Sequence, residues 1–167
     1  MNLRGSIHTS GPLLQGQGPV IVQKHVERFV TEAVTFLQRE VELLTPQGVS
    51  GAQGGLLGSI QHEVQGRGTA MVRGVVGTAS PYGEVVERGR RPGRGMPPKG
   101  VLVDWIALKF GIPVDMAQRI EFVVRRKIAR KGTKGAHMFE RALNGNISRL
   151  QGMAQRQGLR LEVDLNG

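Results

Sequence analysis

The sequence predicts an α+β fold in which an antiparallel sheet is packed by a long N-terminal helix and a C-terminal helix. Apolar residues recur at three- and four-residue steps over residues 20–44, which is the period of an amphipathic helix. Residues alternate with a period of two over 69–77 and 159–165, which is the period of a half-buried strand, and 57–65 is predicted to be a strand beside the first of these. Because residues 101–131 have a helical pattern, we expect a helical excursion between strands.

The N-terminal helix is predicted over Val20–Leu44 and ends at Thr45, because a residue that precedes proline disfavours helical geometry. The stripe that we expect to be buried comprises Val22, Val26, Phe29, Val30, Ala33, Leu37, Val41 and Leu44. Residues 1–19 are rich in Gly, Ser, Gln and Pro and show no periodicity. They are predicted to form a flexible arm.

A glycine-rich loop over Pro46–Gly58 is predicted to follow the first helix. It lacks the lysine and the hydroxyl residue of a phosphate-binding loop, so we expect a long connection and no nucleotide site. The stretches Leu57–Gln65 and Thr69–Gly77 are predicted to be two strands, the second of which alternates with a period of two. The link Gly66-Arg67-Gly68 is short enough and glycine-rich enough to join them as a hairpin.

Ser80 and Pro81 form a typical helix start, with serine as the N-cap and proline in the first turn. They predict a short helix around Val85 that stops at Gly89. The segment Arg88–Gly100 reads RGRRPGRGMPPKG and has too few apolar residues to pack a core. It is predicted to be either a disordered loop or a segment that orders on binding.

The helical excursion is predicted to contain two helices. Val101–Phe110 carries the only tryptophan, Trp105, to which we assign a structural role. Asp115 is predicted to cap the next helix, with Gln118 completing a capping box. That basic helix is predicted to end near Lys131, and its apolar stripe to comprise Met116, Ile120, Val123, Val124 and Ile128.

The C-terminal part is predicted to contain a third long helix, Met138–Gln157, and a final half-buried strand, Leu159–Leu165. The chain as a whole is then expected to form a flexible arm at 1–19 and a single α+β domain at 20–167. This domain includes the basic loop 88–100 and the helical excursion 101–131.

The excess positive charge lies in one segment. The chain carries a net charge of +10, and residues 88–134 alone contain 13 Lys and Arg against three acids. Such a segment indicates nucleic acid, an acidic protein partner or a solvated face. The candidate partner contacts are Arg88, Arg90, Arg91, Arg94, Lys99, Arg125, Arg126, Arg130 and Lys131.

No pattern in the sequence points to catalysis. The chain has no cysteine, which excludes disulfides, thiolate metal sites and cysteine nucleophiles. The four histidines lack metal-ligand spacing, and no serine lies in a nucleophile motif. Glu84 and Glu87 lie one turn apart, which is more typical of a solvated or salt-bridged face than of an acid–base pair. We therefore expect no enzyme activity, no cofactor and no metal site.

Two further observations bear on location and on DNA binding. The chain has no signal pattern and no apolar run near the ~18 residues that a membrane span needs, so we expect a soluble protein made in the cytoplasm. The link Gly111-Ile112-Pro113 before a basic helix permits a helix-turn-helix. However, its charge lies at the far end of the second helix, which disfavours sequence readout and leaves non-specific phosphate contact open.

Four segments in order resemble the small siphophage neck and tail-completion proteins, also called head–tail joining or minor tail proteins. They are a long helix ending in LLTPQG and followed by GLLGSI, then VVGTASPYGEVVERGRRPG, then LVDWIALKFGI before a basic helix, and finally RKGTKGAHMFERAL. These segments span roughly Phe29 to Leu143. This sequence departs from the pattern at Gly83, where many members have alanine, and in a longer loop at Gly48–Gly55.

The resemblance implies an α+β fold, a ring-forming role in the virion and no catalytic residues. We expect a ring of six copies in the neck or upper tail, with neck, connector and tail-tube proteins as partners and possible contact with genomic DNA. Tyr82 and Glu87 would fix the short helix, and Arg88–Lys99 would be a mobile loop that docks on a neighbouring subunit or ring. Phe139 and Leu143 would anchor the third helix. The alternative is a non-specific nucleic-acid-binding protein that uses residues 88–134.

Overall fold

The computed structural model of the chain describes residue 12 and residues 15–49, 55–69 and 71–166. It confirms the predicted α+β class. The elements are α1 (Gly18–Leu44), a 3-10 turn (Leu57–Ser59), β1 (Ile60–Gln65), β2 (Arg73–Thr78), α2 (Gly83–Arg88), β3 (Gly89–Arg90), α3 (Val103–Phe110), α4 (Val114–Lys131), β4 (Thr133–Lys134), α5 (Met138–Asn144) and α6 (Ile147–Asn166).

The strands form two small antiparallel sheets. β1 pairs with β2, and β3 pairs with β4, so that Gly89 lies opposite Lys134 and Arg90 lies opposite Thr133. The two helices α3 and α4 lie between β3 and β4 along the chain, which confirms the predicted helical excursion between strands. Most of the predicted arm at residues 1–19 lies outside the described residues.

The chain divides into two compact units. The first contains the described residues up to Val34 together with Val64–Val75 and the chain from Ile147 onward. The second contains Thr35–Glu63 and Val76–Asn146. None of the helices in the described ranges combines the length and the apolarity that crossing a bilayer requires.

In the first unit, a polar side chain replaces part of the apolar stripe that was predicted for α1. His25 is buried, whereas Val22 and Val26 are each 39% exposed. The His25 ring lies against α6, with Nε2 2.9 Å from Asp164 Oδ2 and Nδ1 3.4 Å from Gln157 Oε1. The prediction for this face was wrong because a buried histidine is tolerated once both ring nitrogens have partners.

The end of the chain is helical, so the predicted strand at Leu159–Leu165 is wrong. The helix predicted over Met138–Gln157 is instead two helices, α5 and α6, and α6 continues to Asn166. The inward residues recur at helical steps: Leu150, Met153, Gln157, Leu161 and Leu165. Leu159 and Val163 are also four residues apart, so they share a face of α6, and that face is exposed.

In the second unit, two small apolar clusters form the core. One comprises Val41, Val49, Leu56, Ile60, Met138 and Ala142, and the other comprises Val103, Ile106 and Ala117. Trp105 packs against both clusters, which accords with the structural role predicted for it. Tyr82 and Phe139 pack against the first cluster. Leu143 is 49% exposed, so α5 is anchored by Met138 and Ala142, one turn apart, and not by Leu143 as predicted.

Two predicted helix starts are also corrected. The residue before α2 is Tyr82, and no side chain caps that helix, although Ser80 Oγ accepts a hydrogen bond from the Tyr82 N–H at 3.4 Å. The residue before α4 is Pro113, whose extended backbone starts the helix at Val114. Asp115 therefore lies inside the first turn and does not cap it.

A glycine in β2 permits close packing of the strand on α1 within the first unit. An added Cβ at Gly74 would lie 2.2 Å from Val34 Cγ1 and 3.0 Å from Val30 Cγ1. Both neighbours are β-branched side chains on a helix, which have little rotamer freedom to move aside.

We predict that Gly74→Ala lowers the free energy of unfolding by about 1–3 kcal/mol, because the added methyl group overpacks this contact. The measurement is urea denaturation followed by circular dichroism. Gly77→Ala is the matched control on the same strand, since no heavy atom lies within 4 Å of its added Cβ. Equal stability of the two variants would contradict the packing described here.

Candidate interaction surface

Helix α4 supplies most of the basic side chains, and its packing decides which of them face solvent. Ala117 is fully buried against α3, and Ile120 and Val124 pack beside it. Met116 and Val123, which were predicted to be buried, are 50% and 65% exposed. The buried face is centred one residue away from the prediction because the small side chain of Ala117 lets the two helices approach closely.

A buried carboxylate ties α4 to the segment before α3. Glu121 is only 3% exposed. Its Oε1 accepts hydrogen bonds from the Gly100 N–H at 2.7 Å and from the Leu102 N–H at 3.4 Å. A carboxylate without such donors would be costly to bury, so these bonds fix the end of the basic loop on α4.

The segment 88–100 is held by specific contacts, which corrects the prediction of a disordered or mobile loop. It begins with β3, which pairs with β4. The Gly93 N–H donates to the Ala129 carbonyl at 2.9 Å, and Arg125 Nε donates to the Pro97 carbonyl at 2.6 Å. The composition of the segment did not reveal these contacts, because they use backbone groups and do not need apolar side chains.

Where β3 and β4 pair, which we call the β3–β4 crossing, the two backbones lie so close together that glycine is required on both sides. An added Cβ would lie 2.4 Å from the Thr133 carbonyl oxygen at Gly89 and 2.1 Å from the Arg90 carbonyl oxygen at Gly132. Both glycines also have positive φ, a conformation that other residues rarely adopt. At Gly135 the added Cβ would lie 2.3 Å from the Glu87 carbonyl oxygen.

This crossing gathers five of the nine predicted contact residues around one groove, which we call the basic groove. Its volume is about 980 Å³. The cationic residues that line it are Arg88, Arg90, Arg91, Arg94, Lys131 and Lys134. Glu84 is the one acid among its lining residues in the described chain, and it forms an exposed pair with Arg88 at 3.4 Å.

A second groove runs along α4, and we call it the α4 groove. Arg126, Lys127, Arg130 and Lys131 line it together with Phe122 and Val123. Both apolar side chains are more than half exposed. Apolar side chains framed by cations are typical of a surface that meets another macromolecule.

Two predicted contact residues, Lys99 and Arg125, lie in neither groove. Lys99 is exposed. Arg125 is half-buried and donates to the backbone of the basic loop, so it has a structural role. The prediction omitted Lys127 and Lys134, although both belong to the stretch that carries the whole charge excess. That charge count was the signal that would have included them.

Among the described residues, one cluster has carboxylate and imidazole groups that could bind a divalent metal, and it consists of Glu87, His137 and Glu140. Their ligand atoms lie within 4.8 Å of one another. The Glu87 carboxylate accepts the backbone N–H groups of Phe139 and Glu140 at 3.0 and 3.2 Å. His137 Nδ1 lies 2.9 Å from Glu140 Oε2. These contacts cap the N-terminus of α5, and we assign the cluster that role.

The comparisons with known proteins found no relative of this chain. No family model matches the chain, and neither the curated proteins nor the solved structures contain a match.

We predict that Gly132→Ala costs at least about 2 kcal/mol more of unfolding free energy than Gly93→Ala, because it also forces two backbone segments apart. Gly93 is the matched control, since it has a similar positive φ and no heavy atom within 4 Å of its added Cβ. The measurement is the urea midpoint of each variant, together with amide exchange in β3. If the two variants lose the same stability, the crossing does not position the basic groove.

Proposed function

We propose that the chain is a structural subunit of a tailed bacteriophage. In this proposal it is a neck or tail-completion component that forms a closed homo-oligomeric ring, of six copies, and joins the head connector to the tail. It has no catalytic role. The observation that carries the proposal is the basic groove, in which the β3–β4 crossing holds six cations beside a single acid. The virion role is supported by the order of the sequence segments that resemble this family.

The geometry of the groove supports docking more than catalysis. Half of its twelve described lining residues are Arg or Lys, which recognise carboxylates or phosphates. Its one acid, Glu84, is exposed and pairs with Arg88. The backbone that carries these side chains is fixed by the pairing of β3 with β4 and by the hydrogen bond from the Gly93 N–H to the Ala129 carbonyl. A rigid display of charge lowers the entropy lost on association.

Exposed apolar residues support contact between copies of the chain. Large apolar side chains that face solvent on α3 and α4 are Leu108, Phe110, Val114, Met116, Phe122 and Val123. In a ring, each copy presents one side to the next in a head-to-tail manner, so exposed apolar side chains on that side are buried without a second partner type.

The basic groove is proposed to face acidic protein surfaces of the adjacent rings. A strongly positive channel lining would slow DNA passage, because each phosphate contact adds affinity. Charge complementarity between stacked rings instead fixes their register and suppresses wrong partners.

Non-specific binding of nucleic acid is the second candidate, and the same six cations favour it. A protein that neutralises several phosphates binds duplex DNA with an affinity that falls steeply with salt. Binding of the isolated protein to duplex DNA that persists at physiological salt, in the absence of rings, would favour this candidate.

The ring itself is tested by light scattering of the purified protein and by negative-stain images of the same fraction. We expect a mass that is a small multiple of the 18.1 kDa chain and particles with a central hole. The same measurement is repeated with connector and tail components, because some subunits close only on a partner. A monomer under both conditions would contradict the proposal.

We predict that the triple variant Arg88→Glu, Arg91→Glu, Arg94→Glu blocks head–tail joining without unfolding the subunit, because like charges then face the acidic partner. The fraction of heads that carry tails, counted by electron microscopy, is expected to fall at least roughly tenfold. The matched control reverses Arg119, Arg156 and Arg160, which are exposed and lie outside both grooves. Normal joining in the first variant, or an equal defect in the control, would overturn the docking role.

A further inference from the structure

The second unit contains a mostly apolar cavity beside the basic groove, which we call the tryptophan pocket. Its volume is about 390 Å³, within the usual range of ligand pockets. Its apolar lining includes Tyr82, Val86, Pro97, Leu102, Trp105 and Ile128. A cavity with this lining is suited to a large apolar group.

The charges around this pocket are all positive. Arg90, Lys109 and Lys134 line it, and its lining in the described chain includes no carboxylate. Lys109 Nζ lies 4.8 Å from the ring centroid of Trp105. A ligand that combines an apolar group with a negative charge is therefore favoured over a neutral or a positively charged ligand.

Arg90 connects the pocket to the basic groove. It lines both cavities, as do Thr133 and Lys134. Its Nη2 donates to the Gly95 carbonyl, whereas its Nε is buried and has no acceptor among the described residues. The Arg90 guanidinium is therefore only partly satisfied within the chain, and a guanidinium pairs well with a carboxylate that reaches its accessible edge.

We propose that the tryptophan pocket and the basic groove together bind an extended acidic peptide segment of a partner protein. One large apolar side chain of the segment fills the pocket, and carboxylates beside it contact Arg90, Lys134 and the groove. This inference rests on the docking role proposed above for the basic groove, and it names the partner chemistry. It does not depend on the number of copies in the ring.

A nucleic acid fits this site less well. Base stacking needs an open aromatic face, and the Lys109 ammonium lies over the face of Trp105. The pocket lining is mostly aliphatic and proline-rich, and its charged groups Arg90, Lys109 and Lys134 are donors only, so it offers few side-chain acceptors to a base edge. A peptide with an apolar anchor needs neither feature.

The test uses Trp105 as its own reporter, because it is the only tryptophan in the chain. The purified full-length protein is titrated with seven-residue peptides that carry a central Phe or Leu flanked by Glu. We expect a saturable change in tryptophan emission at physiological salt. Replacing the central residue by Ala, or the flanking Glu by Lys, is expected to weaken binding at least roughly tenfold.

Two protein variants locate the site. Arg90→Gln and Lys134→Gln are each expected to weaken binding of the acidic peptide severalfold, and Lys134 is exposed, so its variant is expected to fold normally. Arg119→Gln is the matched control, because Arg119 is exposed and does not line the pocket or the groove. Equal binding by all three variants would overturn the proposal.

Two other results would also overturn it. One is the absence of any emission change with the acidic peptides up to ~1 mM. The other is an emission change with single-stranded or duplex DNA that the acidic peptides do not produce. If the peptides fail while the Arg88, Arg91 and Arg94 reversal still blocks joining, the pocket is wrong and the proposed function stands. If the peptides bind as expected but rings and joining fail, the proposed function is wrong.

Discussion

The pairing of Gly89–Arg90 with Thr133–Lys134 is the contact on which the surface chemistry of this protein depends. After α3 and α4, this pairing brings the chain back beside β3, so that the arginine-rich loop and the last turn of α4 meet. The pairing involves only two residues on each strand. It is stable because glycine leaves no side chain to collide with the facing backbone oxygens. The helices α3 and α4, which connect the two strands in sequence, also pack against each other.

Buried and half-buried polar groups also hold distant segments of the chain together. Glu121 holds the start of α3 through two backbone N–H groups, and Glu87 holds the start of α5 in the same way. Each carboxylate joins segments that are far apart in the sequence and whose backbone donors need a partner. In the first unit, His25 serves a similar purpose between α1 and α6.

The sequence predicted the elements better than their buried faces. Helical period identified α1 and the two helices of the excursion, because each has a strong apolar repeat. It did not identify His25 or Glu121 as buried, since the partner of His25 on α6 is 139 residues away and burial of a polar group depends on its partner. The alternation at Leu159–Leu165 was read as a strand because both periods fit a short apolar pattern.

The candidate site was also predicted only in part from the sequence. Charge counting identified the stretch that forms the basic groove, but it could not separate Arg125, which binds backbone, from Arg91, which faces solvent. The tryptophan pocket had no sequence signature, because its lining comes from five separate stretches of the second unit's chain, which include parts of α2, α3, α4 and β4. Such cavities are set by packing and are visible only in three dimensions.

The central claim is that the basic groove docks on protein. It is tested most directly by placing a photo-crosslinking amino acid at position 91, on the exposed side of the groove, and irradiating assembled phage particles. The account predicts a crosslink to an acidic segment of an adjacent neck or tail protein, identified by mass spectrometry. A crosslink to the genomic DNA, with no protein partner captured, would contradict it.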